Sequence, residues 1–415
     1  MTGSAFIYLD HAATTPLDPE VALAIATAQR AAFANPSSQH AAGRAARRVL
    51  EDARERILAL LGGRGAGGRG DRLVFTSGAT EANHLALVGM AAATPPGTLL
   101  FSRRDHASVV NAAAAARRLG WVVDEIGLDA AGCVDAAALA ERLAAAGAAP
   151  RIVSLTLVCG QSGTVQSGTV QSGTVQSGTG HAAMEQARTL PQGAGADAAV
   201  PPTAVHMDAT QAVGLLPVDF SALGAATLAL APHKFGGPRG IGGLVVAQGV
   251  AIAPPAAGTQ EHGLRPGTEA VPLAAGFARA LELAHARRAA DAVRIAALRD
   301  RFEGAILRAA AAAGMPATVI ASTAGRCPHV STMAFPGLDR QALVLAADLA
   351  GVCLATGTAC ASGSSEPAPA LVAMGLAPEI VRGAVRFSFG RGTTAADVDE
   401  AVARIAPLLA RRTAG

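Results

Sequence analysis

The chain has 415 residues, 51% of them hydrophobic, a net charge of +3 and a mean hydropathy of +0.34. That length exceeds what one compact core usually needs, so two domains are expected. The apolar stretches are Ala-rich and are broken by Arg, Asp or Gly before the ~18 residues a membrane span requires, so no membrane association is expected. The short, uncharged start from Met1 to Tyr8 does not read as a secretory leader, and a cytoplasmic protein follows as the expectation. Arginines scattered along helical stretches, as in Gly43-Arg44-Ala45-Ala46-Arg47-Arg48, read as solvated faces and not as a nucleic-acid surface. The five cysteines (Cys133, Cys159, Cys327, Cys353 and Cys360) contain no Cys-x-x-Cys pair, which argues against a disulfide framework or a zinc site.

In chain order, Leu73 to Thr76 reads as a short buried strand, followed by Ser77-Gly78-Ala79-Thr80-Glu81 and a helix through Met90. Thr98 to Ser102, Trp121 to Ile126, Ile152 to Val158, Ala204 to Met207, Ala226 to Ala231 and Gly243 to Ala247 repeat the strand pattern, with helices such as Val109 to Leu119 and Ala136 to Ala146 between them. Strand and helix alternating at this spacing predict an α/β fold with a mostly parallel sheet covered on both faces. After about residue 265 the pattern changes. Two long helical stretches over Val271 to Ala312, with an interruption, precede a few strands and a final helix, which reads as a smaller α+β domain. The division expected is a large domain over 16–264 and a small one made of 1–15 and 265–415. From Gln161 to Thr179 the chain repeats Gln-Ser-Gly-Thr four times at a period of five, too polar to bury a face and therefore expected to form a loop. Pro191 to Thr203 also reads as loop.

Four stretches carry chemistry. Lys234 is the chain's sole lysine; it follows an apolar strand and precedes a Gly-rich turn, where an amine can be desolvated enough to act as a nucleophile. Read alone, it is better taken as a surface lysine in a loop. Asp208 stands at a strand end upstream, a turn-forming position that also suits a carboxylate facing a protonated pyridine nitrogen. Thr76-Ser77-Gly78-Ala79-Thr80-Glu81 opens a helix with backbone N–H groups and hydroxyls suited to phosphate, or to an ordinary N-cap. Cys360 lies among small residues in Gly357-Thr358-Ala359-Cys360-Ala361-Ser362-Gly363, whereas Cys353 sits between Val352 and Leu354. The first environment suits a reactive thiol. For the other four cysteines, core filling is expected.

Together these stretches resemble the cysteine desulfurases of the NifS/IscS type, a branch of the aminotransferase class V family. The resemblance runs from Tyr8-Leu9-Asp10-His11-Ala12-Ala13-Thr14-Thr15-Pro16 through Asn35-Pro36-Ser37-Ser38, Thr76 to Glu81, Asp208-Ala209-Thr210-Gln211 and His233-Lys234 to Arg386-Phe387-Ser388-Phe389-Gly390-Arg391. It implies the type I fold of pyridoxal-phosphate (PLP) transferases and a homodimer. It also implies desulfuration of L-cysteine to L-alanine, with the sulfur passed through a persulfide on Cys360 to an acceptor such as an iron–sulfur scaffold. The resemblance assigns Lys234 to covalent attachment of PLP and proton transfer. Asp208 would face the pyridine nitrogen, Gln211 the phenolic oxygen, and His106 would stack on the ring. Ala79, Thr80 and His233 would hold the phosphate, with Thr268 reaching across from the partner subunit. Asn35 and Arg386 would bind the substrate carboxylate, a task the planar guanidinium suits.

The sequence departs from this family in places. The family usually has Asn-Asn-Glu-Thr-Gly where Cys159-Gly160-Gln161-Ser162-Gly163 stands here. Aligning the first repeat copy puts Gly160 at the Asn that supports the phenolic oxygen; aligning the last puts Val175 there. The loss of that one hydrogen bond would cost ~1–3 kcal/mol, enough to weaken but not abolish catalysis. Ala231 replaces a common phosphate-binding Ser, and His262 replaces an Arg after Gln260-Glu261. Besides an active desulfurase, a selenocysteine lyase and a catalytically impaired, partner-binding homologue are alternatives.

Overall fold

The computed structural model describes residues 6–65, 70–147, 149–166, 203–357 and 366–410. Cys360 and the repeat beyond Gln166 lie outside the described residues.

The elements in chain order are β1 (Ile7–Tyr8), α1 (Pro19–Ala31), α2 (Ala41–Leu60), β2 (Arg72–Thr76), α3 (Ala79–Ala93), β3 (Thr98–Phe101), α4 (Ala107–Ala116), β4 (Val122–Glu125), α5 (Ala136–Ala145), β5 (Arg151–Thr156), β6 (Thr203–Asp208), α6 (Phe220–Leu223), β7 (Thr227–Leu230) and β8 (Gly242–Val246). Then follow α7 (Val271–Ala312), β9 (Thr318–Val319), β10 (Val330–Ala334), α8 (Arg340–Leu349), β11 (Val352–Cys353), α9 (Pro369–Ala373), α10 (Pro378–Arg382), β12 (Ala384–Ser388) and α11 (Ala395–Ala410). Seven strands form one sheet in the order β2-β8-β7-β6-β5-β3-β4. Only β8 runs antiparallel to its neighbours. Each of the seven strands expected from the sequence is present within a residue or two of its expected bounds. The central strands β5, β6 and β7 are buried almost throughout, so they read as unbroken apolar runs. Separate apolar clusters cover the two sheet faces, one built on Leu73, Val153, Met207 and Leu228, the other on Val74, Leu99, Ile152 and Leu244.

The remaining strands build a three-stranded antiparallel sheet, β12-β10-β9, and a β1-β11 parallel pair, packed around Phe302, Phe335, Phe387 and Phe389. The interruption expected between Val271 and Ala312 is absent: α7 runs through all 42 residues. Its proline lies in the first turn, where no hydrogen bond is lost. Gly276 persists because a Cβ there would lie 2.5 Å from Ile25 Cγ1 of α1. The helix therefore joins both cores. Val271, Ala274, Phe277 and Leu281 pack under the large sheet, while Ile295, Phe302 and Ile306 pack under the small one.

Among the described residues no helix is long and apolar enough to cross a membrane, and no cluster of His, Cys, Asp or Glu is arranged to hold a metal ion.

Candidate active site

In a sheet of this kind, the crevice outside the carboxyl ends of the parallel strands is where ligands bind. Most of the expected residues converge there. Asp208 ends β6, and the loop after β7 carries His233 and Lys234. The loop after β3 delivers His106 to the start of α4, and the turn after β5 carries Gly160. β2 ends at Thr76, and Gly78 starts α3 without any side-chain cap. The N–H groups of that first turn, at Ala79 and Thr80, are thus oriented into the crevice side of a 15-residue helix. Gly242 of β8 permits the close approach: a Cβ on it would meet the Gly78 backbone at 2.5 Å.

Asp208 is held by a buried polar chain. Its Oδ1 accepts from the Thr210 N–H at 2.9 Å, and its Oδ2 accepts from Asn83 Nδ2 at 2.8 Å. A carboxylate only accepts from an amide, so the Asn83 orientation is fixed, and its Oδ1 must itself accept. The proton between Asn83 Oδ1 and His206 Nε2, 2.9 Å apart, therefore belongs to His206. Burial pushes the His206 pKa down to about 4, so the ring is neutral and its Nδ1 accepts from the Thr227 hydroxyl at 2.8 Å. The second Asn83 N–H goes to Ser108 Oγ at 2.9 Å, and the Ser108 hydroxyl reaches His106 Nδ1 at 2.8 Å. His106 Nδ1 also accepts from the Ser108 N–H at 3.1 Å, which pins the exposed ring at the start of α4. Asn83, fully buried in α3, thus ties Asp208 to His106.

Nearby, Asp105 is buried with its Oδ2 on the Ser102 N–H at 3.0 Å and the Thr156 side chain beside its carboxyl. Burial raises its pKa to about 6, and the Asp208 charge pushes in the same direction.

Lys234 Nζ donates to the carbonyls of Ala12 at 2.6 Å and Ala13 at 3.0 Å. Gln211 Nε2 donates to the same Ala12 oxygen at 2.8 Å, which brings lysine and glutamine together. His233 lies beside Thr14, its Nδ1 3.2 Å from the hydroxyl. Its pKa falls to about 4, through burial first and then the Lys234 and Arg239 charges. Arg386 of β12 donates Nη1 to the Gly160 carbonyl at 2.9 Å and pairs Nη2 with Asp10 at 2.8 Å, while its Nε is buried without a partner among the described residues.

Two expected residues stand apart. Asn35 is exposed, its Oδ1 accepting from the Ser37 N–H at 2.8 Å, with no hydrogen bond to Arg386 among the described residues. Thr268 is exposed on the loop whose Arg265 pairs with Glu81 of α3 at 3.1 Å. The substituted His262 adopts a left-handed backbone, next to a Glu261 whose carboxylate takes both ends of the buried Arg54 guanidinium at 2.7 and 3.1 Å. Ala231 is fully buried just before the turn that carries His233.

Gln161-Ser162-Gly163-Thr164-Val165-Gln166 settles which repeat copy fills the turn after β5. Val158 bridges Val165, and the Cys159 N–H donates to Thr164 O at 3.0 Å. Buried Arg104 donates to Gln166 Oε1 and Thr164 O, both at 3.0 Å. The first copy is in place, so Gly160 occupies the position in question. A Cβ on it would lie 3.2 Å from Gln211 Nε2.

Cys133, Cys159 and Cys327 are buried, and burial raises Cys327 to about 11; Cys353 is partly buried and also raised, first by burial. The residues that sequence reasoning passed over are Asn83, Ser108, Asp105 and His329, the last donating Nε2–H to Gln211 Oε1 at 3.1 Å.

The aminotransferase class V family model matches residues 7–170 and 199–401. The break between these spans begins within the repeat and runs on past its end at Thr179. The chain is 34% identical over 397 residues to cysteine desulfurase IscS 1 of Archaeoglobus fulgidus, covering 94% of each. It is 35% identical over 411 residues to a cysteine desulfurase of Cereibacter sphaeroides, covering 97% of this chain and 95% of that one. The NifS-like protein of Rickettsia africae superposes with a TM-score of 0.81 at 26% identity, covering 97% of this chain and 99% of the other. The architecture is the type I fold of PLP-dependent transferases. The match over nearly the whole length, with the sheet-edge constellation around Lys234, makes this chain a member of the aminotransferase class V family.

Proposed function

We propose that the chain is a PLP-dependent cysteine desulfurase, forming L-alanine from L-cysteine and passing the sulfur through a persulfide on Cys360. The observation that carries this reading is Lys234, the sole lysine, placed at the carboxyl edge of the sheet between the Asp208 and Gln211 side and the open start of α3. The residues present fit the cofactor. An uncapped helix start with Ala79 and Thr80 suits a phosphate, assisted by His233 and by Thr268 of a second subunit in a homodimer. Asp208, tied down on both oxygens, suits a pyridinium; Gln211 suits the phenolic oxygen, and the exposed His106 ring suits a stacking partner. The bound cofactor supplies an electron sink that weakens the bonds at the substrate α-carbon.

Lys234 would hold the cofactor covalently through Nζ, and the same atom is the base placed to take the substrate α-proton. Arg386, whose Nη1 and Nη2 each keep an N–H beyond the bonds to Gly160 and Asp10, holds the substrate carboxylate with Asn35. The Cys360 thiolate attacks the substrate sulfur; a sulfur–sulfur bond forms, the carbon–sulfur bond breaks, and its electron pair stays with the carbon that becomes alanine. A sulfur-acceptor protein in the cytoplasm, such as an iron–sulfur scaffold, then takes the persulfide sulfur. The work divides between a large domain over 16–264 and a small one over 1–15 and 265–415, with α7 bridging them.

The test is an L-cysteine assay on purified protein with its visible spectrum recorded. A visible band, and alanine with sulfide in the presence of a reductant, are expected, and Cys360→Ser should abolish alanine formation. Undiminished alanine in that variant would overturn the role of Cys360, and a colourless, inactive protein would overturn the function.

A further inference from the structure

His329 is an unexplained buried group in this crevice. It is 5% exposed, its Nδ1 has no hydrogen-bond partner among the described residues, and its Nε2 lies 3.1 Å from Gln211 Oε1. The protons in this pair are determined. The Ala12 carbonyl can only accept, so the Gln211 atom facing it at 2.8 Å is the amide nitrogen, and Oε1 faces His329. His329 must therefore donate from Nε2. Burial, with His11, Lys234, Arg386 and Arg299 around it, lowers its pKa to about 3, so the ring carries a single proton and spends it on this bond. One Gln211 N–H goes to Ala12, and Nε2 sits 3.2 Å from where a Cβ on Gly160 would be. Gly160 is not among the glycines with positive φ, so its backbone does not demand glycine.

We propose that His329 is a positioning residue that turns the Gln211 amide nitrogen towards the space Gly160 leaves open, so that Gln211 alone supplies the hydrogen bond to the cofactor's phenolic oxygen. This rests on the reading of Gln211 given above. A free glutamine amide has two flips and several rotamers; one buried partner on each side leaves one of them. The donor so held draws charge from the phenolic oxygen. Losing it leaves the oxygen more negative and raises the pH at which the adjoining proton departs.

The experiment compares cofactor-loaded His329→Phe, His329→Gln, Gln211→Ala and Gly160→Asn proteins, reading the pH midpoint of the visible band and the PLP dissociation constant. His329→Phe keeps the ring shape and loses the donor. It should raise the midpoint by roughly one pH unit and weaken PLP binding ~10-fold. His329→Gln, which retains an N–H, should recover part of both, and Gly160→Asn, which supplies a second donor, should shrink the effect of His329→Phe. If Gln211→Ala shifts both readouts while His329→Phe moves neither, the inference fails and the reading of Gln211 stands. If Gln211→Ala moves neither, that reading fails and takes the inference with it.

Discussion

Asn83→Leu is the substitution that most directly tests how the crevice is held. Leucine keeps the γ-branched shape of asparagine but is bulkier, so no cavity opens and some overpacking adds to the polar cost. Asn83 makes three buried hydrogen bonds, to Asp208 Oδ2 at 2.8 Å, to Ser108 Oγ at 2.9 Å and from His206 Nε2 at 2.9 Å. After substitution Asp208 retains the Thr210 N–H, and Ser108 retains His106, but the His206 N–H faces leucine. An orphaned buried donor costs about 1–3 kcal/mol, and a hydrogen bond to a charged group about 1.5–3 kcal/mol. Because the bonds form one network they do not simply add, and roughly 3–5 kcal/mol is expected. Urea unfolding of the cofactor-free protein, followed by circular dichroism, reads this as a lowered midpoint. A loss below about 1 kcal/mol would show that Asn83 is not the junction of the network, and the proton assignments built on it would fall.

Two other perturbations separate electrostatic from packing effects. The raised pKa of Asp105, about 6 against 3.8, means the folded protein binds its proton more tightly than the unfolded chain, so this group's contribution is fully favourable below pH 3.8 and is lost as pH rises through 6. Asp105→Asn should therefore stabilise the protein by about 2–3 kcal/mol at pH 8 relative to its effect at pH 4, read from paired urea titrations; parallel profiles for the two proteins would refute it. Glu261→Ala strips the buried Arg54 of its bidentate partner and the Phe75 N–H of its acceptor, and should cost about 3–5 kcal/mol, whereas a loss under 1 kcal/mol would mean Glu51 and the Leu73 carbonyl suffice for Arg54.

Much of the sheet was legible because its strands are buried on both faces and bounded by turn signals. Asp208 and Lys234 were legible for a related reason: a charged residue at the end of an apolar strand, or in the turn that follows one, stands at the sheet's carboxyl edge. Asn83 was not. Its partners His206 and Ser108 lie 123 and 25 residues away, and no local period links them. One signal was available. In α3 the positions around Asn83 (Ala82, Leu85, Ala86, Leu87 and Met90) are apolar and buried, so an amide among them must find buried partners. The uninterrupted run of α7 was hidden for a different reason. Its early face meets one core and its later face another, so the apolar stripe changes direction and resembles two helices.

The repeat illustrates how a sequence ambiguity becomes a structural constraint. From sequence, any of the copies can be aligned with the turn after β5. In the structure the copy that starts at Gln161 lies there: Gln166 reaches Arg104 and Val134, and Gln161 reaches the start of α9, where its Oε1 accepts the Ala370 N–H at 2.9 Å. With both ends of that copy anchored, the backbone at residue 160 is fixed by contacts that do not involve its own side chain. Gly160 thus sits in a frame held by its neighbours, with the Gln211 amide at its edge. On the reading proposed above, a protein with glycine at 160 depends on the orientation of Gln211, which the Ala12 carbonyl and the single proton of His329 hold.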